Sequence, residues 1–294
     1  MRLSVRARRV VAFVAAALLA VGGCASGSSV PGLARQGTPG PEPACADSGF
    51  DCELQGRFEA VRDYLEDRPG TSGVVVRDLR TGAEWHNEHA RDLTWTASTI
   101  KLAMVVDLFT RNRSGEITLS TEDRTLIHAM LHSSDDRAAD TLWYRYAGRD
   151  HQEFNDNFPD YGLTSLVPQK GFSDYFPYWG FQKCTAEDLD RLMTFVLTEL
   201  PGDERDLIVA EMRSVGAEQQ WGVWGAGPDA RPGTKDGWSE EVDGWVMNTV
   251  GFVGPGERYT LTVMNALHGE AGYTAGRATV TAVARLLFAG YFPA

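Results

Sequence analysis

The chain has 294 residues, enough for one large domain or two closely packed ones, and its 43% hydrophobic and 23% charged residues exclude a fibrous or disordered polypeptide. The formal net charge is −12, and four of the 28 basic residues (Arg2, Arg6, Arg8 and Arg9) fall in the first 23 positions, leaving 24 basic against 40 acidic side chains, a net of −16, beyond them. So acidic a body lacks the basic footprint that a phosphate backbone requires, which argues against nucleic acid as a partner and against charge-driven attachment to an anionic membrane.

In chain order, Arg2 to Arg9 form a positive segment and Val10 to Val21 an apolar stretch too short to span a bilayer comfortably, followed by Gly22, Gly23 and Cys24. This order resembles a bacterial lipoprotein signal, which implies removal of residues 1–23, lipidation of Cys24 and an extracytoplasmic protein held to the cell membrane by its lipid. Residues 24–53, rich in Ser, Gly and Pro up to Pro43, read as a flexible tether. Of the remaining cysteines (Cys45, Cys52 and Cys184), two are expected to form a disulfide in that oxidising compartment, with three pairings open. The six histidines read as scattered, without a His/Cys cluster at ligand spacing, so no metal and no cofactor are expected.

From Leu54 the apolar residues Leu54, Phe58, Val61 and Leu65 keep helical spacing up to Pro69-Gly70. Gly73 to Asp78 is a β-branched run, and after the turn at Thr81-Gly82 residues 83–87 return as a hairpin strand. Ile100 to Phe109 is apolar nearly all round, as in a buried helix. Further helices are predicted at about 121–132, 136–147, 185–199, 203–214 and 274–289, with strands over 244–253 and 258–265. The order predicts an α+β fold in two lobes: an antiparallel sheet flanked by terminal helices, and an all-helical lobe at about 97–214. A site is expected in the cleft between them.

The chemistry concentrates at three places. Ser98 and Lys101 stand at i and i+3, on one helical face, where an amine can reach a hydroxyl; the helix N-terminus adds free N–H groups that can hold an oxyanion. The chain has 24 arginines and only four lysines, and a base must be lysine because arginine does not give up its proton. The run Ser134-Asp135-Asp136 read alone is a helix cap, and Lys235-Asp236-Gly237 read alone is a turn with a solvated lysine. The tryptophans of Trp221-Gly222-Val223-Trp224 suit either a ligand groove or core packing.

Taken together in this order, the three motifs resemble the S-x-x-K, S-D-N and K-T-G set of class A β-lactamases and penicillin-binding proteins. The resemblance covers roughly residues 54–292 and implies a β-lactamase/transpeptidase-like domain over 54–294. It implies Ser98 as nucleophile, Lys101 as proton acceptor, Ser134 as proton relay and Lys235 as electrostatic support and carboxylate anchor. Asp136 falls where the family contacts a substrate amide, Asp236 and Gly237 complete the third motif, and the backbone N–H of Trp238 joins that of Ser98 in an oxyanion hole.

Three departures bear on function. Asp136 replaces an asparagine, and Asp236 replaces a hydroxyl residue and would repel a substrate carboxylate unless protonated or paired with Lys235. No glutamate lies between Glu153 and Glu187 to activate a deacylating water, only Asp156, Asp160 and Asp174. The expectation is a monomeric serine hydrolase that forms an acyl-enzyme on Ser98 with a small β-lactam or a cell-wall peptide amide, with weak or no β-lactamase turnover. The alternative is a non-catalytic cell-wall or ligand-binding lipoprotein that keeps the fold.

Overall fold

The computed structural model describes residues 45, 47–171 and 176–293. Cys24, the signal segment and the tether up to residue 44 lie outside them, as does Asp174. The first element is helix α1 (Cys52–Glu66), capped by Asp51, whose side chain accepts from Leu54 N at 2.8 Å. It begins two residues before its apolar period, because Cys45 is bonded to Cys52 and Phe50 is buried beside Phe58, so the folded part includes the last residues of the expected tether. Cys184 is a buried free thiol.

Strands β1 (Thr71–Asp78) and β2 (Glu84–His86) form the expected hairpin. A two-residue strand β3 (Thr94–Trp95) leads through a 3-10 turn at Ala97–Thr99 into helix α2 (Ile100–Ser114). Helices α3 (Thr121–His132), α4 (Asp136–Tyr146) and α5 (Glu153–Asn157) follow, then short strands β4 (Val167–Pro168) and β5 (Gln182–Cys184), with β5 pairing to both β3 and β4. Helices α6 (Ala186–Thr198) and α7 (Gly202–Arg213) complete the helical lobe. Capping boxes at Ser120/Asp123 and Thr185/Asp188 set the starts of α3 and α6.

Strands β6 (Gly233–Glu241), β7 (Gly244–Val253) and β8 (Tyr259–Ala266) and the final helix α8 (Tyr273–Phe288) close the fold. The five-stranded sheet is antiparallel throughout, in the order β2-β1-β8-β7-β6. Both faces are covered, so alternate residues of one strand enter different cores. Val74 and Val76 pack with α1 and α8, whereas Val75 packs with α2 and α6. This explains why β1, β7 and β8 read as continuous apolar runs.

The tryptophan-rich run belongs to the first of those cores. Trp221 is 1% exposed and meets Trp238 edge-on at 5.9 Å, so it fills space under the sheet and does not line a groove. The sheet's edge strand, β6, is the part that positions the site.

Candidate active site

Strand β6 runs beside the 3-10 turn that carries Ser98. A Cβ on Gly237 would come within 2.8 Å of Ser98 N and 2.7 Å of Thr99 N, so only glycine lets the strand approach the backbone of the nucleophile candidate this closely. The lead-in is pinned by Asn248, which stands opposite Gly237 on β7 and donates to the carbonyls of Trp95 (2.7 Å) and Thr96 (3.2 Å). Ala97, immediately before Ser98, has φ +44°, a left-handed conformation costly for a residue with a Cβ. Ser98 is half-buried, and its hydroxyl has no hydrogen-bond partner among the described residues.

Lys101, on the first turn of α2, is fully buried. Its Nζ donates to Ser134 O at 2.7 Å, reaches Ser134 Oγ at 3.4 Å and pairs with Asp136 Oδ1 at 2.5 Å. The Trp179 ring covers it, 4.6 Å from the amine. Lys235 is 1% exposed and comes from the other lobe; its Nζ donates to Ser134 Oγ at 2.9 Å and to Asp236 O at 2.7 Å. Two of the chain's four lysines are thus buried on one serine hydroxyl.

That arrangement controls their protonation. Burial drives the Lys235 amine well below its ordinary range, and the neighbouring charge of Lys101 pushes the same way. Burial also lowers Lys101, against the opposing pull of its bond to Asp136. An amine whose hold on its proton is weakened by burial is what a serine needs beside it. Ser134, like Ala97, is held with positive φ, at +59°, between α3 and α4. Its neighbour Asp135 performs the capping job, accepting from Ala138 N at 2.8 Å, which frees the Ser134 side chain for the two lysines.

The two substituted aspartates separate. Asp136 is 72% exposed at the mouth of the site, with Lys101 behind it. The Asp236 carboxylate does not meet the cleft at all. It is fully buried on the opposite face of β6, accepts from Thr234 Oγ1 (2.8 Å) and Thr249 Oγ1 (2.6 Å), and leaves Oδ2 without a partner. Burial raises it to about 7. The expectation that it would repel a substrate carboxylate is therefore corrected: side chains alternate along a strand, and Lys235 and Gly237 take the cleft face. The Trp238 side chain follows Asp236 to the inner face, against Trp221 and Tyr273, so only its backbone borders the cleft.

Opposite Lys101, the described part of the segment before α6 presents aromatic rings. Tyr178 and Trp179 both donate to Asp140, Trp179 Nε1 at 2.8 Å, and this bond holds the Trp179 ring over the lysine. Asp156 and Asp160 are exposed on and beyond α5 and make no contact with Ser98, Lys101 or Ser134. Sequence reasoning missed Asn248, Asp140 and Trp179. The first left a signal, a lone amide inside the apolar strand Gly244–Val253, and Asp140 closes the run Ser134–Asp140 that carries the second motif; Trp179 left none that pattern alone can separate from core packing.

Helical lobe, five-stranded antiparallel sheet and the Ser98–Lys101–Ser134–Lys235 cluster between them define the architecture of the serine β-lactamases and their penicillin-binding relatives. A family model described as "Beta-lactamase enzyme family" matches residues 57–123. Over 270 residues the chain is 30% identical to the proteins named "Putative lipoprotein LppW" of Mycobacterium tuberculosis H37Rv and Mycobacterium bovis, covering 87% of this chain and 82% of theirs. Among solved structures, an ancestral Gram-negative class A β-lactamase superposes with a TM-score of 0.64 at 18% identity, over 79% of this chain and 98% of that one. A β-lactamase from Xanthomonas campestris gives the same TM-score at 19% identity, over 80% and 96%; these structures establish the fold. The chain belongs to the family of the LppW lipoproteins, its relatives along most of its length, and has the fold of class A β-lactamases.

Proposed function

We propose that the protein is a serine acyl-transfer hydrolase in which Ser98 attacks an amide carbonyl of a β-lactam or a cell-wall peptide. The observation that carries this reading is the convergence on Ser134 of two buried lysines, one of which, Lys101, stands one helical turn after Ser98. Burying an ammonium is costly, and a purely structural lysine has no reason to be buried against a second one. In the proposed sequence, Ser98 Oγ adds to the carbonyl carbon while its proton passes to Lys101. Backbone N–H groups of Ser98 and Trp238 hold the oxyanion. As the C–N bond breaks, the departing nitrogen takes a proton from Ser134, which regains one from Lys101, 3.4 Å from its hydroxyl, while Lys235 steadies it.

Release of the acyl group is the weak step. The lack of a glutamate between Glu153 and Glu187, and the Trp179 ring 4.6 Å from the Lys101 amine, support slow deacylation and a long-lived acyl-enzyme. The protein acts as a monomer on a small-molecule or peptide substrate outside the cytoplasm, attached to the membrane through lipid on Cys24. The relatives' lipoprotein name supports that anchoring, and no described helix is long and apolar enough to cross a membrane.

One observation favours a second reading, a ligand-binding lipoprotein without turnover. The Asp136 carboxylate, 2.5 Å from Lys101 Nζ, favours the protonated amine and opposes its use as a base. Labelling with a fluorophosphonate probe separates the two, since it reports an activated serine without a known substrate. Labelling of the wild type at Ser98 and none of Ser98→Ala supports the hydrolase; equal, background labelling of both supports the binding protein.

A further inference from the structure

On the helical lobe, outside the site just described, His128 and His132 lie four residues apart on α3, the spacing that puts both rings on one helix face. Reading the histidines as scattered overlooked that pair. The rings stack, with centroids 5.2 Å apart and planes 22° from parallel. Glu211, from α7, lies against them, its oxygens 2.8 and 2.9 Å from His128 Nδ1. One ligand atom from each of the three residues falls within 4.8 Å of the others. A zinc ion with nitrogen and oxygen ligands at roughly 2.0–2.2 Å needs its donors about 3.3 Å apart, a closure within reach of side-chain rotation.

Two further observations point to a ligand. His132 Nδ1 is sealed from solvent and has no hydrogen-bond partner among the described residues, a cost for a polar atom that a coordinate bond or a ring flip onto a metal would remove. Glu211 is only 19% exposed and, among the described residues, has no arginine or lysine partner and one ion-pairing neighbour, His128. The contrast with the other convergent group, Glu84, His86 and Glu187, is instructive. There Arg77 neutralises Glu84, and Arg91 and Arg191 neutralise Glu187, so both carboxylates are already committed to cations.

We propose that His128, His132 and Glu211 form a binding site for a late first-row divalent cation of the zinc type, bridging α3 to α7, with solvent completing the coordination shell. Imidazole and carboxylate ligands suit such an ion, and the exposure of His128 leaves room for water. The consequence is local. His132 is the last residue of α3, its carbonyl accepts from Gly216 N at 2.9 Å beyond α7, and Ser134 follows two residues on. An occupied site clamps the segment that presents Ser134 to the lysines. This proposal does not depend on catalysis.

The test is zinc titration of the purified, chelator-stripped protein by calorimetry, with native mass spectrometry for the stoichiometry. One zinc per chain with micromolar or tighter affinity is expected. His128→Ala, His132→Gln and Glu211→Gln should each weaken it at least about tenfold, the lower scale for disturbing a metal site. Thermal melting supplies an independent readout. Zinc at about 100 times its Kd should raise the Tm of the wild type by roughly 5 °C and leave His128→Ala unmoved. Absence of binding tighter than about 100 µM would overturn the proposal. So would zinc binding that survives both histidine substitutions, or that is lost in His86→Ala instead.

Discussion

Asp136 and Asp236 are the same chemical departure made at two motifs, and the fold gives them opposite consequences. Both place a carboxylate where the family resemblance implies a neutral polar residue. On the sheet, strand alternation turns Asp236 inward, where two threonine hydroxyls take one oxygen and burial raises the carboxyl to about 7. On the helical lobe, Asp136 begins α4 and stays 72% exposed, its charge set directly against the amine of Lys101. A substitution in a motif thus has no fixed meaning; it depends on which face of its element looks into the cleft. Asp236 becomes a matter of stability, and Asp136 a matter of chemistry.

That contrast can be broken at three points. The largest effect is expected from Lys101→Ala, which removes both the base and Asp136's partner. Labelling of Ser98 by the fluorophosphonate probe should slow by about 10²- to 10⁴-fold, the usual range for losing a general base. A rate within threefold of the wild type would show that the Asp136–Lys101 pair is only structural.

Asp136→Asn should act in the other direction and more modestly. The bond from Asp136 holds the Lys101 amine up against the lowering effect of burial, so its removal lets the amine lose its proton at lower pH. The labelling rate at neutral pH is expected to rise roughly tenfold, the scale of one hydrogen bond to a charged group. The alkaline rise of the pH–rate profile should move toward lower pH. An unchanged profile would mean that Lys101 is not the base.

Asp236→Asn is expected to leave labelling within about twofold and to alter only the pH dependence of stability. The folded carboxyl keeps its proton up to about 7, whereas its ordinary value is 3.8, so the folded state binds more protons across that window. Stability contributed by this group is therefore present at low pH and falls as pH rises from about 4 to 7. The amide cannot ionise, and the Tm difference between pH 5 and pH 8 should shrink by several degrees. A labelling defect greater than tenfold would put Asp236 back in the cleft.

Much of this was legible in the residues. Apolar spacing located α1, the pair α3 and α4, α6, α7 and α8 to within about two residues and fixed the start of α2, whose last turn runs five residues beyond the apolar run to Ser114, because each has one strongly buried stripe or is buried nearly all round. Read alone, Lys235-Asp236-Gly237 on strand β6 suits a turn at the start of the C-terminal strand region, since Lys235 and Asp236 stand at positions whose burial is created by partners far away in sequence. Ser134 and Asp135 show how two readings of one segment can both hold. The cap is Asp135, and the hydroxyl that meets the lysines is Ser134. The inward turn of Asp236 and the placement of Trp179 over Lys101 needed the register of β6 on β7 and the Asp140 bonds, neither of which leaves a local trace.

The central claim is that Ser98 is competent for acylation while deacylation is impaired. Intact-mass spectrometry of the protein mixed with a penicillin, followed over time beside Ser98→Ala, tests it most directly. The account predicts an adduct of one penicillin on the wild type alone, persisting for many minutes while most of the free penicillin stays intact. No adduct, with the penicillin unconsumed, would contradict the acylation half; rapid consumption without a lasting adduct would contradict the other.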